Sequence, residues 1–207
     1  FKDADIIVKV KEPLMEEVKM IRENQIVFTY LHLAAAKELT QGLINSKAIC
    51  IAYETVTSSD GSMPLLAPMS TIAGQLAFIV GSYHLLKHNK GKGVMIGKMD
   101  DIDPRVVTVI GAGVSGTQSI LKAIDNNAIV KVVDSSQSKL DELQSKYGTN
   151  NIEYVLSTEE SIQLSINDSD LVIGSVYVVG KEAPKVVKRE MLSSMNPGTV
   201  MVDVSID

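Results

Sequence analysis

Residues Val106–Gly116 read VVTVIGAGVSG. Val106 to Ile110 is a run of β-branched residues that predicts a buried strand, and Gly111, Gly113 and Gly116 follow in a glycine-x-glycine-x-x-glycine pattern. The glycine spacing alone is weak, and its context gives it meaning. A helix is expected over Ser115–Ile124 and a second strand over Val130–Val133, with Asp134 at its end, 18 residues beyond Gly116. Gly111 permits the tight turn, Gly113 leaves the backbone open to a pyrophosphate, and Gly116 lets the helix approach the strand. The helix N-terminus then offers free N–H groups to phosphates. Ala112 and Val114 complete the turn and are cofactor contacts in this reading. Asp134 can accept hydrogen bonds from both adenine-ribose hydroxyls and would repel a 2'-phosphate. Ser135 and Ser136 beside it carry no positive charge, so NAD is the expected cofactor, ahead of NADP.

Beyond this turn the alternation continues. Helix is expected over Gln137–Tyr147, 159–166 and 188–195, and strand over 153–156, 171–173 and 199–202. Strands at this spacing, with helices between them, imply a parallel sheet with right-handed crossovers. Before the turn, 5–10, 26–29 and 48–52 read as strands, with helices opening at Pro13 and over 34–44. Residues 57–68, punctuated by Asp60-Gly61, Pro64 and Pro68, read as loop. A long amphipathic helix is expected from Ser70 to about His88. The fold class is therefore α/β: a Rossmann-like, doubly wound parallel-sheet domain plus part of a second α/β domain, joined by that helix. The expected division is 1–69 (part of the first domain), 70–104 (helix and linker) and 105–207 (dinucleotide domain, incomplete at its C-terminal end).

Of 207 residues, 45% are apolar, enough for a sizeable core. A net charge of −5 without a basic patch argues against nucleic acid as the partner, as do the absence of Trp and an aromatic content of 4%. A single cysteine, Cys50, excludes an internal disulfide framework and a Cys-rich zinc site, and it fits a reducing compartment. No apolar run reaches the roughly 18 residues that would span a bilayer. His84 and His88 lie one turn apart, but no third ligand has fitting spacing, so no metal is expected. The chain starts at Phe1 and ends on VMVDVSID, which reads as a strand cut at its exit; an interior piece of a longer protein is expected.

Seven stretches, in order, resemble the NAD-dependent alanine dehydrogenase family: DIIVKVKEP (5–13), TYLHLAAA (29–36), IAYETV (51–56), LLAPMSTIAG (65–74), VIGAGVSG, DLVIGSVYVVGKEAPK (170–185) and MNPGTVMVDVSID (195–207). The motifs before the glycine turn are not generic to nucleotide-binding folds. The chain departs from the family at 99–104, at 125–128 and at Lys181-Glu182, all in loops. The resemblance implies reversible oxidative deamination of L-alanine to pyruvate and ammonium in the cytoplasm, by a homo-oligomer that is commonly a hexamer. It also implies a longer protein whose substrate-carboxylate arginine lies before Phe1.

The resemblance assigns site residues as well. Lys11, by itself a plausible surface lysine, falls on the substrate-binding lysine, and Lys9 ranks below it. His32 falls on the catalytic histidine, whose ordinary pKa suits acid–base work near neutrality. Asp207, at a strand end, falls on a catalytic aspartate. Met69 and Ser70 match residues that touch the nicotinamide and pyrophosphate. Ser175 and Val176 follow another strand end near the cofactor, and Glu54 reads as a buttress. Two alternatives stand beside this reading: the NAD-binding component of a transhydrogenase, which binds no amino acid, and a non-catalytic nucleotide-binding fragment of a larger enzyme.

Overall fold

A computed structural model describes residues 1–178 and 182–205. The chain divides into two compact units, one built on Phe1–Met69 and the other on Ser70–Tyr177 with residues 183–205.

The first unit is a parallel sheet of β1 (Ile6–Val8), β2 (Ile26–Thr29) and β3 (Ile49–Ala52), side by side in chain order. Its ladders pair Ile6 with Ile26 and, at the far end, Thr29 with Ala52. Helices α1 (Met15–Val18) and α2 (Lys37–Ser46) cover one face. Leu39 and Leu43, four residues apart on α2, meet Val18, Ile21, Val27 and Leu31 there in one apolar cluster. Strand period two sends Val27 into that cluster, while Ile6, Val8, Ile49 and Ile51 stay exposed.

Helix α3 (Ala67–His84) crosses the boundary, and the second unit takes it from Ser70. The unit continues through β4 (Val106–Ile110), α4 (Val114–Asp125), β5 (Ile129–Asp134), α5 (Gln137–Tyr147), β6 (Ile152–Leu156), α6 (Glu159–Asn167), β7 (Leu171–Gly174) and β8 (Val200–Asp203). The strands form a parallel sheet in the order β6-β5-β4-β7-β8. Chain order runs outward from β4 to β6, then returns to the other side of β4, which makes a doubly wound sheet with its switch point between β4 and β7. Apolar layers lie on both faces. Val107, Val109, Val130, Val132 and Leu171 join Phe78, Ile120 and Leu140 on one, and Ile110, Val133 and Val172 join Ile162, Ile166 and Met191 on the other. Among the described residues no helix is long and apolar enough to cross a membrane.

Two expectations are corrected. The long helix starts at Ala67, because Pro68 in its first turn gives up an N–H that has no helical partner there. It also stops at His84 and is not amphipathic. Its buried side carries Gly74, Ala77, Phe78 and Gly81, while Ile72, Leu76, Ile79 and Tyr83 are 50–60% exposed. Small volume governs the inner face: a Cβ on Gly74 would lie 2.0 Å from the Ser115 carbonyl oxygen, and one on Gly81 would lie 2.4 Å from Leu171. The helix expected over 188–195 is instead a 3-10 segment, Arg189–Ser194, held by the buried Met191.

At the base of the sheet the buried Asp170 carboxylate accepts from Lys92 Nζ at 2.6 Å and from the Val106 N–H at 3.1 Å. Asp170→Ala leaves the Val106 N–H without its acceptor and frees Lys92 to solvent, and we expect it to lower unfolding free energy by about 2 kcal/mol, read from urea midpoints.

Candidate functional site

In the second unit the glycine turn sits where β4 gives way to α4, beside the end of β7. Gly111 has φ +96°, a conformation that L side chains rarely adopt, and its N–H donates to Val133 O across the sheet at 2.8 Å. Gly113 is the N-cap residue of α4 and offers no side chain to cap it. A Cβ on Gly113 would meet nothing within 4 Å, so the open side of the turn lies there. Gly116 faces the opposite way: its Cβ would lie 1.8 Å from Gly111 O and 2.7 Å from Ser175 Oγ. One glycine leaves room for a ligand and the other closes the helix on the strand. Ala112 is buried, while Val114 is half exposed at the start of α4.

Asp134, at the end of β5, is buried and shares its carboxylate between two backbone donors. Oδ2 accepts from Ala112 N–H at 2.7 Å and Oδ1 from Ser136 N–H at 2.9 Å. The acid thus ties the glycine turn to the start of α5. Lys139 Nζ stands 3.9 Å from Oδ2. The sequence reading missed this cation by looking only at Ser135 and Ser136; the first turn of the following helix was the place to look. Ser175 is buried and donates to Gly111 O at 2.6 Å and Ile110 O at 3.1 Å, so its hydroxyl holds the turn from behind. Val176 is half buried against the α6 side of the sheet. These residues converge because β4, β5 and β7 are parallel and end at one edge.

Met69 and Ser70 occupy the first turn of α3. One turn on, α3 is locked to α4: Ser119 Oγ donates to Gly74 O at 2.7 Å, and Gln75 Nε2 to Gln118 Oε1 at 3.1 Å.

In the first unit, Lys11, His32 and Glu54 follow the ends of β1, β2 and β3 in turn, along one edge of the sheet. The Lys11 side chain is exposed, and its carbonyl accepts from Thr29 Oγ1 at 2.8 Å. Lys9 is ion-paired with Glu17, which takes it out of competition with Lys11. That pair, with the Leu14 N–H, holds the Glu17 carboxyl below its ordinary range. Next to Lys11, Glu12 Oε2 is buried and has no hydrogen-bond partner among the described residues. His32 is partly buried, and its ring lies 6.1 Å from that of Tyr30 at 18° between planes. Asp207 lies outside the described residues.

The sequence model described as "Alanine dehydrogenase/PNT, N-terminal domain" matches residues 1–73, and "Alanine dehydrogenase/PNT, C-terminal domain" matches residues 77–207. An alanine dehydrogenase of Halomonas elongata is 46% identical over 205 residues, 99% of this chain and 55% of that protein. A solved L-alanine dehydrogenase superimposes with TM-score 0.86 at 38% identity, over 99% of this chain and 56% of that one. A transhydrogenase from Sinorhizobium meliloti superimposes with TM-score 0.78 at 26% identity, over 99% and 60%. The chain thus spans about half the length of the curated relatives it matches.

Asp134→Ala frees the Ala112 N–H and loosens the turn. We expect faster amide hydrogen exchange at Ala112 and Ser136 and an unfolding free energy lower by about 2 kcal/mol, read from urea midpoints. Glu17→Gln should flatten the acid limb of the stability–pH curve. The folded-state pKa of Glu17 is depressed, so its contribution is present above the ordinary glutamate range and is lost as pH falls through the folded value.

Proposed function

The chain belongs to the alanine dehydrogenase/PNT family, and from that premise we propose that it serves NAD-dependent oxidative deamination of L-alanine to pyruvate and ammonium. The observation that carries this reading is the delivery of Lys11 and His32 to one edge of the first sheet by neighbouring parallel strands. A purely nucleotide-binding module has no need of that pair.

The residues of the second unit fit a dinucleotide. The positive φ at Gly111, the open space at Gly113 and the strand-end acid Asp134 match what a pyrophosphate and an adenine ribose require. Gly111, Ala112, Gly113, Val114 and Gly116 would hold the pyrophosphate at the start of α4. Asp134 would hold the ribose, and Met69, Ser70, Ser175 and Val176 would border the rest. NAD, when bound, supplies the hydride acceptor for the alanine Cα–H. Lys11 binds the substrate carboxylate and offsets its charge. Once the substrate is at the iminium level, His32 takes a proton from the water that adds to the imine carbon and gives it to the nitrogen as the C–N bond breaks, releasing ammonium and pyruvate; the reverse direction runs the same transfers backwards. Asp207 would assist that proton handling. The same reading places the protein in the cytoplasm, where Cys50, its thiol pKa pushed up by burial, stays a thiol. It also places the protein in a homo-oligomer, with the exposed apolar side of α3 as the contact.

The likeness to a transhydrogenase supports a second reading, NAD binding without amino-acid chemistry. The test is amino-acid-dependent reduction of NAD by the full-length protein. Alanine should drive it, His32→Asn should cut kcat by about a hundredfold, and Lys11→Met should raise KM for alanine. A full-length protein that binds NAD but reduces it with none of alanine, serine or glycine follows the second reading.

A further inference from the structure

His32 is in the left-handed region, with φ +47° and ψ +43°. That conformation crowds the Cβ of any L residue, and a histidine stays there only where its surroundings impose it. The imposing group is Glu54. Its Oε1 accepts from the Leu31 N–H at 3.0 Å and from the His32 N–H at 2.8 Å, and Oε2 lies 3.3 Å from the Leu31 N. Two successive N–H groups converging on one oxygen require a sharp local turn of the backbone.

Sheet register makes the meeting possible. Thr29 and Ala52 are the last paired residues of β2 and β3, so Leu31 and Glu54 each stand two residues past the same rung. Glu54 is fixed by a 3-10 turn, Tyr53–Thr55, and Leu31 by burial in the core. The rings add direction: Tyr53 packs edge-on against both Phe28 and Tyr30, and Tyr30 lies nearly parallel to the His32 ring. The carboxylate sets the backbone of His32 and the aromatic row sets one wall for its imidazole.

We propose that Glu54 is a positioning residue for the acid–base histidine, acting through the backbone of Leu31 and His32 and not through the imidazole itself. This rests on the assignment of His32 as the acid–base group. Glu54→Ala removes the acceptor and lets residue 32 relax toward right-handed or extended backbone. Glu54→Gln keeps an oxygen where Oε1 stands and therefore rescues.

The test uses the full-length protein with three variants, Glu54→Ala, Glu54→Gln and His32→Asn. The readouts are kcat and KM for alanine-driven NAD reduction, NADH affinity and amide hydrogen exchange. For Glu54→Ala we expect kcat at least tenfold lower, with NADH affinity within twofold. Exchange at Leu31 and His32 should be at least tenfold faster, while Val27, in the centre of β2, is unchanged. Glu54→Gln should recover most of the rate and most of the protection. With His32→Asn inactive, an unchanged kcat in Glu54→Ala overturns the proposal. Equal loss of protection at Val27 also overturns it, because Glu54 would then support the whole unit. Full activity in His32→Asn removes the acid–base assignment instead. The exchange rates then decide by themselves: fast Leu31 and His32 amides uphold the Glu54 tether, and unchanged ones sink it.

Discussion

In a parallel sheet every strand leaves the ladder at the same edge, and every return to the next strand has to cross a face. That constraint organises both units. In the first, the three carboxyl ends present Lys11, His32 and Glu54 in succession. In the second, the ends of β4, β5 and β7 present the glycine turn, Asp134 and Ser175. Residues far apart in sequence therefore meet without long loops, and of the strands that place them β2, β4, β5 and β7 pair on both sides. Side-chain chemistry is confined to the few residues just past the last rung.

The second recurring device is a carboxylate that accepts from backbone N–H groups. Asp134 holds Ala112 and Ser136, Glu54 holds Leu31 and His32, and Asp170 holds Val106 together with Lys92. Hydrogen bonds to a charged partner contribute about 1.5–3 kcal/mol each, roughly twice a neutral one. Each bond here is made where the backbone leaves or enters regular structure, so it fixes the direction of a turn more than it adds to the core. Ser175 does the same with the opposite polarity, donating to the carbonyls of Ile110 and Gly111.

The α/β class and the doubly wound second sheet were legible because strand–turn–helix punctuation is local. The glycine turn was legible for a stronger reason: each of its glycines answers a separate steric demand that sequence spacing exposes. The inner face of α3 was not legible as such. A helix that buries glycines and displays Ile72, Leu76 and Ile79 scores as apolar all round, and an apolar helix is readily taken for an amphipathic one. The Glu54 tether depends on contacts that no residue pattern announces. Glu54 reaches its two donors across 22 and 23 positions of sequence. The left-handed backbone of His32 was nearly as hidden: histidine enters that region more readily than most residues, but still in a small minority of cases.

The two sides of α3 differ in what restricts them. At Gly74 and Gly81 any added carbon strikes a backbone carbonyl or a core leucine, so the second unit alone fixes those positions. The outward Ile72, Leu76 and Ile79 are half exposed or more, and Tyr83 beside them meets the rings of His84 and His88. Drift at the inner positions therefore records only the volume available inside the unit. The half-exposed outer side tolerates a far wider range of side-chain volume, so the two faces of one helix answer to different constraints.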